Sequence, residues 1–313
     1  GAGLSARAAW RVRRTDNSRM TGLPDSLCFL NGTYSALRDA QVSVMDRGFV
    51  LGDGVYEVLP AYGGRLFRFH EHMARLERSL HELRIPNPHS RDEWLAIARR
   101  LIADQQARGA SHQSVYLQVT RGVAMRDHAM LPGLVPTVFV MGNAMKLATA
   151  EQRERGVACV TADDFRWRKA HIKSISLLGS VFARQIAVDA GVTETVMFRD
   201  GFLSEGAMSN VWVVKDGVVI GPPNDHLVLE GIRFGLIQEL CHALGLGYAL
   251  RRVTRDEVLE ADELLLSSSS KEVLPVTTLD DIPVGHGPQR GRPGPVYARL
   301  YAAYQQAVAT QSI

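Results

Sequence analysis

The sequence predicts an α+β fold in two domains, from three observations. The chain has 313 residues, enough for two hydrophobic cores. Short strand-like runs and amphipathic helices are mixed in both halves, not segregated into one half each. The hydrophobic periodicity lapses once, around residues 143–150. The expected organisation is a basic tail over 1–20, a small α+β domain over 21–142, a linker over 143–150 and a larger α+β domain over 151–313.

The elements follow in order. LCFLNGTY, QVSVMDRG and VYEVLPAY read as short strands, with Asn31-Gly32 and Gly63-Gly64 as hairpin turns. FHEHMARLERSLHELRI places Met73, Leu76, Leu80 and Leu83 at helical spacing. Ser90 is the expected N-cap of the helix DEWLAIARRLIADQQARG, which Gly109 closes. SVYLQVTRG and TVFVMGNA are strands. In the second half GVACVTADDF is a strand and SISLLGSVFARQIAVDAGV a helix with Gly191 near its end. Asp200-Gly201 and Asp216-Gly217 turn two hairpins. RFGLIQELCHALGLG is a helix, ELLLSSSSKEVLPV a strand running into a polar turn, GHGPQRGRPGP a loop and VYARLYAAYQQAVA a closing helix.

Composition removes whole classes of function. Hydrophobic residues make up 46% and charged residues 22%, the balance of a globular protein, with no apolar run long enough to cross a membrane. The net charge is +3. Residues 1–20 hold five arginines against Asp16, a local +4, so the remainder carries about −1 and offers no basic footprint for nucleic acid. The tail lacks the apolar core of a secretory signal. It reads as a disordered extension, with Met20 as a plausible start. Cys28, Cys159 and Cys241 are far apart and suggest no disulfide framework, which fits a cytoplasmic setting.

Several motifs fail. Gly52-Asp53-Gly54 lacks the third glycine of a dinucleotide fingerprint and the strand-to-helix context. No P-loop, HExxH or GxSxG is present, and no metal is expected. His70 and His72 lie two residues apart, on different faces of a helix, and read as solvated.

Only five of the 36 basic residues are lysines: Lys146, Lys169, Lys173, Lys215 and Lys271. A catalytic lysine that forms a Schiff base with an aldehyde cofactor must come from these. Lys215 belongs to a hairpin turn, Lys146 to the linker, and Lys271 follows a serine run. Lys173, in HIKSISLLGS, stands where an extended segment gives way to a helix, a place from which an amine can enter a cleft.

The segments around it carry a family resemblance. HIKSISLLGSVFARQIA, then LSEGAMSNVWVVKDG, then LEGIRFGL resemble the signature of the class IV aminotransferases, pyridoxal-phosphate (PLP) enzymes of fold type IV. The resemblance runs from about residue 27 to about 305. It implies that Lys173 is the Schiff-base lysine and the acid–base group for the α-proton, and that Glu205 pairs with the pyridine nitrogen. Arg75, the backbone of Ile232 and Arg233, Ser268 and Ser269 would hold the phosphate, and Leu229 would pack on the ring. One departure stands out. Where the family usually reads Gly-Ile-Thr-Arg this chain reads Gly-Ile-Arg-Phe, so a threonine hydroxyl is lost at Arg233.

Arg126-Asp-His128 resembles the Arg-x-His element of the D-amino-acid aminotransferases. With Tyr56 it would bind the substrate α-carboxylate, for which a guanidinium fork and directional donors suit. The expected reaction is transamination of a D-amino acid, D-alanine first, with a 2-oxo acid such as 2-oxoglutarate. An L-branched-chain aminotransferase and an aminodeoxychorismate lyase share the same machinery and stay open. The relatives' architecture implies a homodimer.

Overall fold

The computed structural model describes residues 22–313, so the basic tail lies outside the described residues. Residues 27–144 build one sheet and residues 157–283 another.

The first half contains β1 (Leu27–Leu30), β2 (Thr33–Ala36), α1 (Arg47–Leu51), β3 (Gly54–Tyr62), β4 (Arg65–Leu66), α2 (Phe69–Glu82), α3 (Arg91–Ala107), β5 (His112–Thr120) and β6 (Thr137–Ala144). The strands form an antiparallel sheet in the order β2-β1-β6-β5-β3-β4. Asn31-Gly32 and Gly63-Gly64 turn its hairpins with positive φ at all four residues. Helices α2 and α3 cover one face, burying Leu76, Leu80, Trp94 and Leu101 against Val55, Leu59, Val115 and Val140. Ser90 and Glu93 make the capping box of α3.

The second half contains α4 (Ala150–Arg155), β7 (Val157–Asp163), α5 (Leu178–Asp189), β8 (Glu194–Arg199), β9 (Phe202–Gly206), β10 (Asn210–Lys215), β11 (Val218–Gly221), α6 (Ile232–Leu244), β12 (Gly247–Leu250), α7 (Arg255–Leu259), β13 (Glu263–Ser268), β14 (Glu272–Leu279), β15 (Ile282–Pro283) and α8 (Pro295–Thr310). The sheet order is β12-β11-β10-β13-β14-β7-β8-β9, with β15 added beside β14. Its strands alternate between two apolar faces. Val211, Val213, Leu264 and Leu266 join one cluster, while Trp212, Val214 and Leu265 join another with α6 and α8. The C-terminus returns to the first half, where Ile313 and Leu66 exchange backbone hydrogen bonds at 2.9 Å.

Two readings need correction, and two elements went unread. QVSVMDRG is no strand. Val42 and Val44 are exposed, and Asp46 instead caps α1 by accepting from the Gly48 N–H. The alternating valines imitate a half-buried strand without a neighbour to pair with. The helix after Lys173 begins only at Leu178, because residues 173–175 bond to β3 instead. The short elements β12 and α7 have too little pattern to be read from sequence, although Thr254 and Glu257 form a capping box.

Candidate active site

The site forms where β3 runs past the pairing of β4. Strand β4 pairs only with Ala61 and Tyr62, so the Gly54–Tyr56 edge is open. The segment around Lys173 fills it: Tyr56 N–H donates to Lys173 O and Ile175 N–H to Gly54 O, both at 3.0 Å. Ser79 of α2 accepts from the Lys173 N–H at 3.3 Å. This backbone clamp leaves the half-buried Lys173 side chain free, with Nζ 4.1 Å above the Tyr56 ring. Tyr56 in turn stacks on Tyr116, centroids 5.8 Å apart.

The opposite face of β3 carries Val55, Glu57 and Leu59 into the core. A carboxylate there requires charged company, and α2 supplies it. Arg75 binds Glu57 through Nε at 2.7 Å and Nη2 at 2.8 Å, and His72 Nδ1 lies 2.8 Å from Glu57 Oε2. Burial would raise the Glu57 pKa, but the Arg75 charge, its two donors and His72 outweigh it and hold the carboxyl well below its usual range. His72 is fully buried, and burial lowers its pKa to about 4 against the pull of Glu57. The expectation of two solvated histidines is therefore wrong for His72. His70 is exposed, and the two residues do occupy different faces.

Arg75 also reaches the other sheet, donating through Nη1 to Glu230 O at 3.1 Å. That carbonyl adjoins Gly231, the N-cap of α6, which provides no side-chain cap. The first-turn N–H groups at Ile232 and Arg233 thus present the positive end of a 13-residue helix beside a buried guanidinium. Gly231 is needed for this approach, since a Cβ there would stand 2.0 Å from Asn210 Oδ1. Ser269, in the β13–β14 turn, donates to Val58 O of β3 at 3.3 Å, and Ser268 Oγ accepts from the Lys271 N–H at 3.1 Å. Arg75, the α6 N-terminus and the serine turn therefore all border β3 or α2.

Glu205 lies on β9 and is buried. Arg166 Nη1 meets its Oε1 at 2.8 Å, while Asn210 Nδ2 and the Leu229 N–H both donate to Oε2 at 3.2 Å. Burial dominates over these partners, and the Glu205 pKa is raised. Two hydrogen bonds thus run from Glu205 through the Leu229–Glu230 backbone to Arg75.

The donor set fits PLP: an amine, a carboxylate for a ring nitrogen, and a phosphate cradle made of a guanidinium, a helix N-terminus and hydroxyls. The match with known proteins agrees. The amino-transferase class IV family matches residues 54–279. The chain is a class IV aminotransferase.

Relatives extend the match beyond that segment. A D-alanine aminotransferase of Bacillus licheniformis is 38% identical, covering 90% of this chain and 97% of its own. One of Staphylococcus epidermidis is 33% identical over 91% and 99%. Among solved structures, a branched-chain amino acid aminotransferase of T.th. with pyridoxamine 5'-phosphate superposes with a TM-score of 0.83 at 25% identity, covering 92% of this chain and 96% of its own. The aminotransferase is accordingly a PLP-dependent, fold-type-IV enzyme.

The other sequence-derived residues divide. Lys173, Tyr56, Arg75, Glu205, Leu229, Ile232, Ser268 and Ser269 lie on segments joined to one another through β3, α2 and the Leu229–Glu230 backbone. Arg126 and His128 do not join it. They are exposed in the β5–β6 loop, and among the described residues neither is ion-paired. Arg233 turns its side chain inward to Tyr304, which leaves only its backbone at the N-terminus of α6. Sequence reasoning missed Glu57, His72 and Arg166. Glu57 had a signal, a lone charge on the apolar face of a strand; Arg166, in an irregular segment, had none.

Proposed function

We propose that the enzyme transfers the amino group of D-amino acids, D-alanine among them, to a 2-oxo acid such as 2-oxoglutarate. The identity to D-alanine aminotransferases over nine-tenths of the chain supports this donor. The observation that carries the active-site assignment is Glu205. It is a fully enclosed carboxylate that its neighbours under-compensate, as a partner for a cationic ring nitrogen should be. When bound, PLP supplies an aldehyde for the amine and an electron sink for the charge left at the substrate Cα.

The chain's own residues do the rest. Lys173 Nζ takes and returns the Cα proton. Tyr56 and Tyr116 wall its approach. Glu205 keeps the ring nitrogen protonated. Arg75, the N–H groups of Ile232 and Arg233, Ser268 and Ser269 hold the phosphate, and Leu229 packs on the ring. Tyr56, with Arg126 and His128 brought in by the same loop of a second copy, binds the substrate carboxylate, and its placement decides which enantiomer turns its Cα–H to Lys173.

The loop bearing Arg126 and His128 is edged by exposed Val123, Met125, Met130 and Val135, and α1 exposes Phe49. These apolar side chains support a homodimer in which that loop works at the interface between copies. The two sheets, over residues 27–144 and 157–283, support a division into two domains close to 21–142 and 151–313. Three buried free cysteines support a cytoplasmic enzyme, and no described helix is long and apolar enough to cross a membrane.

A second reading is an L-branched-chain aminotransferase, favoured by the separation of Arg126 and His128 from Lys173 and by the superposition on a branched-chain enzyme. One experiment divides the two. The visible band of the PLP-loaded protein should bleach with D-alanine and persist with L-leucine. Bleaching with L-leucine alone would reassign the donor. Multiple turnover by Lys173→Ala with an unaltered spectrum would remove the mechanism.

A further inference from the structure

Beneath the proposed phosphate cradle lies a set of buried polar atoms that the mechanism above does not use. Arg233, second residue of α6, is 2% exposed. Its Nε donates to the Tyr304 hydroxyl at 3.1 Å, and its guanidinium lies 5.4 Å from the Phe67 ring centroid. Its Nη1 and Nη2 have no hydrogen-bond acceptor. His72 Nε2 and Glu272 Oε1 are among the buried acceptors that are equally unmatched, as is the Tyr62 hydroxyl.

The protonation states make these needs complementary. His72 stays neutral at neutral pH and Glu57 stays ionised, so Nδ1 carries the hydrogen toward Glu57 and Nε2 is left as a lone-pair acceptor. Arg233 and His72 are close enough for the guanidinium charge to act on the imidazole. Arg233 and Glu272 both act on the Tyr304 hydroxyl. Leaving such groups unmatched costs about 1–3 kcal/mol each, and an ordered water between a buried donor and a buried acceptor satisfies both.

His72 and Glu272 lead to different parts of the cradle. His72 leads through Glu57 to Arg75. Glu272, held by Arg153 and Gln305, opens β14 directly after the Ser268–Lys271 turn. Arg233 itself stands in the first turn of α6.

We propose that Arg233 is a positioning residue that joins the three parts of the phosphate cradle, its Nη groups linked by buried water to His72 Nε2 on one side and Glu272 Oε1 on the other. The inference rests on the proposed phosphate site. It gives a role to the side chain that replaces the threonine usual in the family: the hydroxyl is lost from the cradle, and a guanidinium braces it from behind.

The test compares the binding of PLP with that of pyridoxal, which lacks the phosphate, to cofactor-stripped protein. Arg233→Met should weaken PLP about tenfold and leave pyridoxal unchanged, the lower end of the loss seen when an outer partner of a metal-ligating residue is removed. Arg233→Lys should recover part of the loss. His72→Phe should reproduce part of it, and the double variant should be no worse than Arg233→Met alone, since Arg233→Met already cuts the link to His72. Equal weakening of PLP and pyridoxal, unchanged PLP binding, or strictly additive losses would each overturn the proposal. If Arg233→Met does not fold, Arg233→Gln and the independent His72→Phe carry the same comparison. Arg75→Met is the reference. If it keeps the preference for PLP over pyridoxal, the phosphate site itself is misplaced; if it loses that preference while Arg233→Met keeps it, only the role of Arg233 falls.

Discussion

Two carboxylates, Glu57 and Glu205, are both closed off from water, yet their pKa values move in opposite directions. Glu57 receives two charged hydrogen bonds from Arg75 and one from His72, and it is held ionised. Glu205 receives one from Arg166, which is shared with Asp164, and two from neutral amides. Burial then wins and its pKa rises. The first pair is complete without a ligand. The second is short of positive charge until a ligand brings it. Burial alone therefore does not mark a functional acid; the shortfall in compensation does.

The largest effect should come from breaking the complete pair. Arg75→Met leaves Glu57 buried with His72 alone, and should destabilise the cofactor-free protein by about 3–5 kcal/mol in urea unfolding. Arg166→Met should cost less than half of that. Glu205 is already displaced toward its neutral form, and Asp164 keeps Arg199 at 3.1 Å. Equal losses would erase the distinction between the two carboxylates.

The isosteric change reverses the ranking in catalysis. Glu205→Gln keeps the shape and should hardly alter the unfolding of the cofactor-free protein. It removes the only carboxylate proposed for the ring nitrogen, so kcat should fall about 10²–10³-fold, the range for loss of one aimed electrostatic partner. Near-normal turnover by Glu205→Gln would show that the ring nitrogen finds its charge elsewhere.

How far the sequence could reveal this depended on whether a residue's role is local. The paired glycine and aspartate turns, the Ser90 N-cap and the amphipathic α2 follow from neighbours within a few residues, and they were legible. Lys173 and Glu205 were legible through resemblance, since an amine and a carboxylate 32 positions apart signal nothing by spacing alone. The Lys173 segment looked like the start of a helix because the open edge of β3, which straightens it, is more than a hundred residues away. His72 looked solvated for the same reason, since its partner Glu57 lies on another element. Arg126 and His128 were legible only through resemblance, and among the described residues no contact brings them to Lys173.

A smaller effect is the pH dependence of stability. His72 titrates near 6.5 when unfolded and near 4 when folded, so the unfolded chain binds more protons between those values. Its contribution is full above about pH 6.5 and is lost as pH falls toward 4. Glu57 acts in the same direction below about 4.5, its usual pKa. Glu205 opposes both, because a raised carboxyl pKa gives stability that is present below its unfolded pKa and lost as pH rises through the folded one. The melting temperature of the cofactor-free protein should therefore drop from about pH 7 to about pH 4. His72→Gln should flatten the upper part of that drop, and an unaltered curve would mean that His72 titrates normally.

The smallest change probes the neutral partners of Glu205. Asn210→Ala removes the donor to Glu205 Oε2 and a second hydrogen bond to Leu229 O at 3.0 Å. Each is neutral on the donor side and part of a wider set, so the cofactor-free protein should lose about 1–2 kcal/mol. The Leu229 N–H and Arg166 still hold Glu205, so kcat should fall less than about tenfold. A loss as large as that of Glu205→Gln would mean that the amide, not the guanidinium, aims the carboxylate. The contrast between the two buried acids would then lie in hydrogen-bond geometry and no longer in charge.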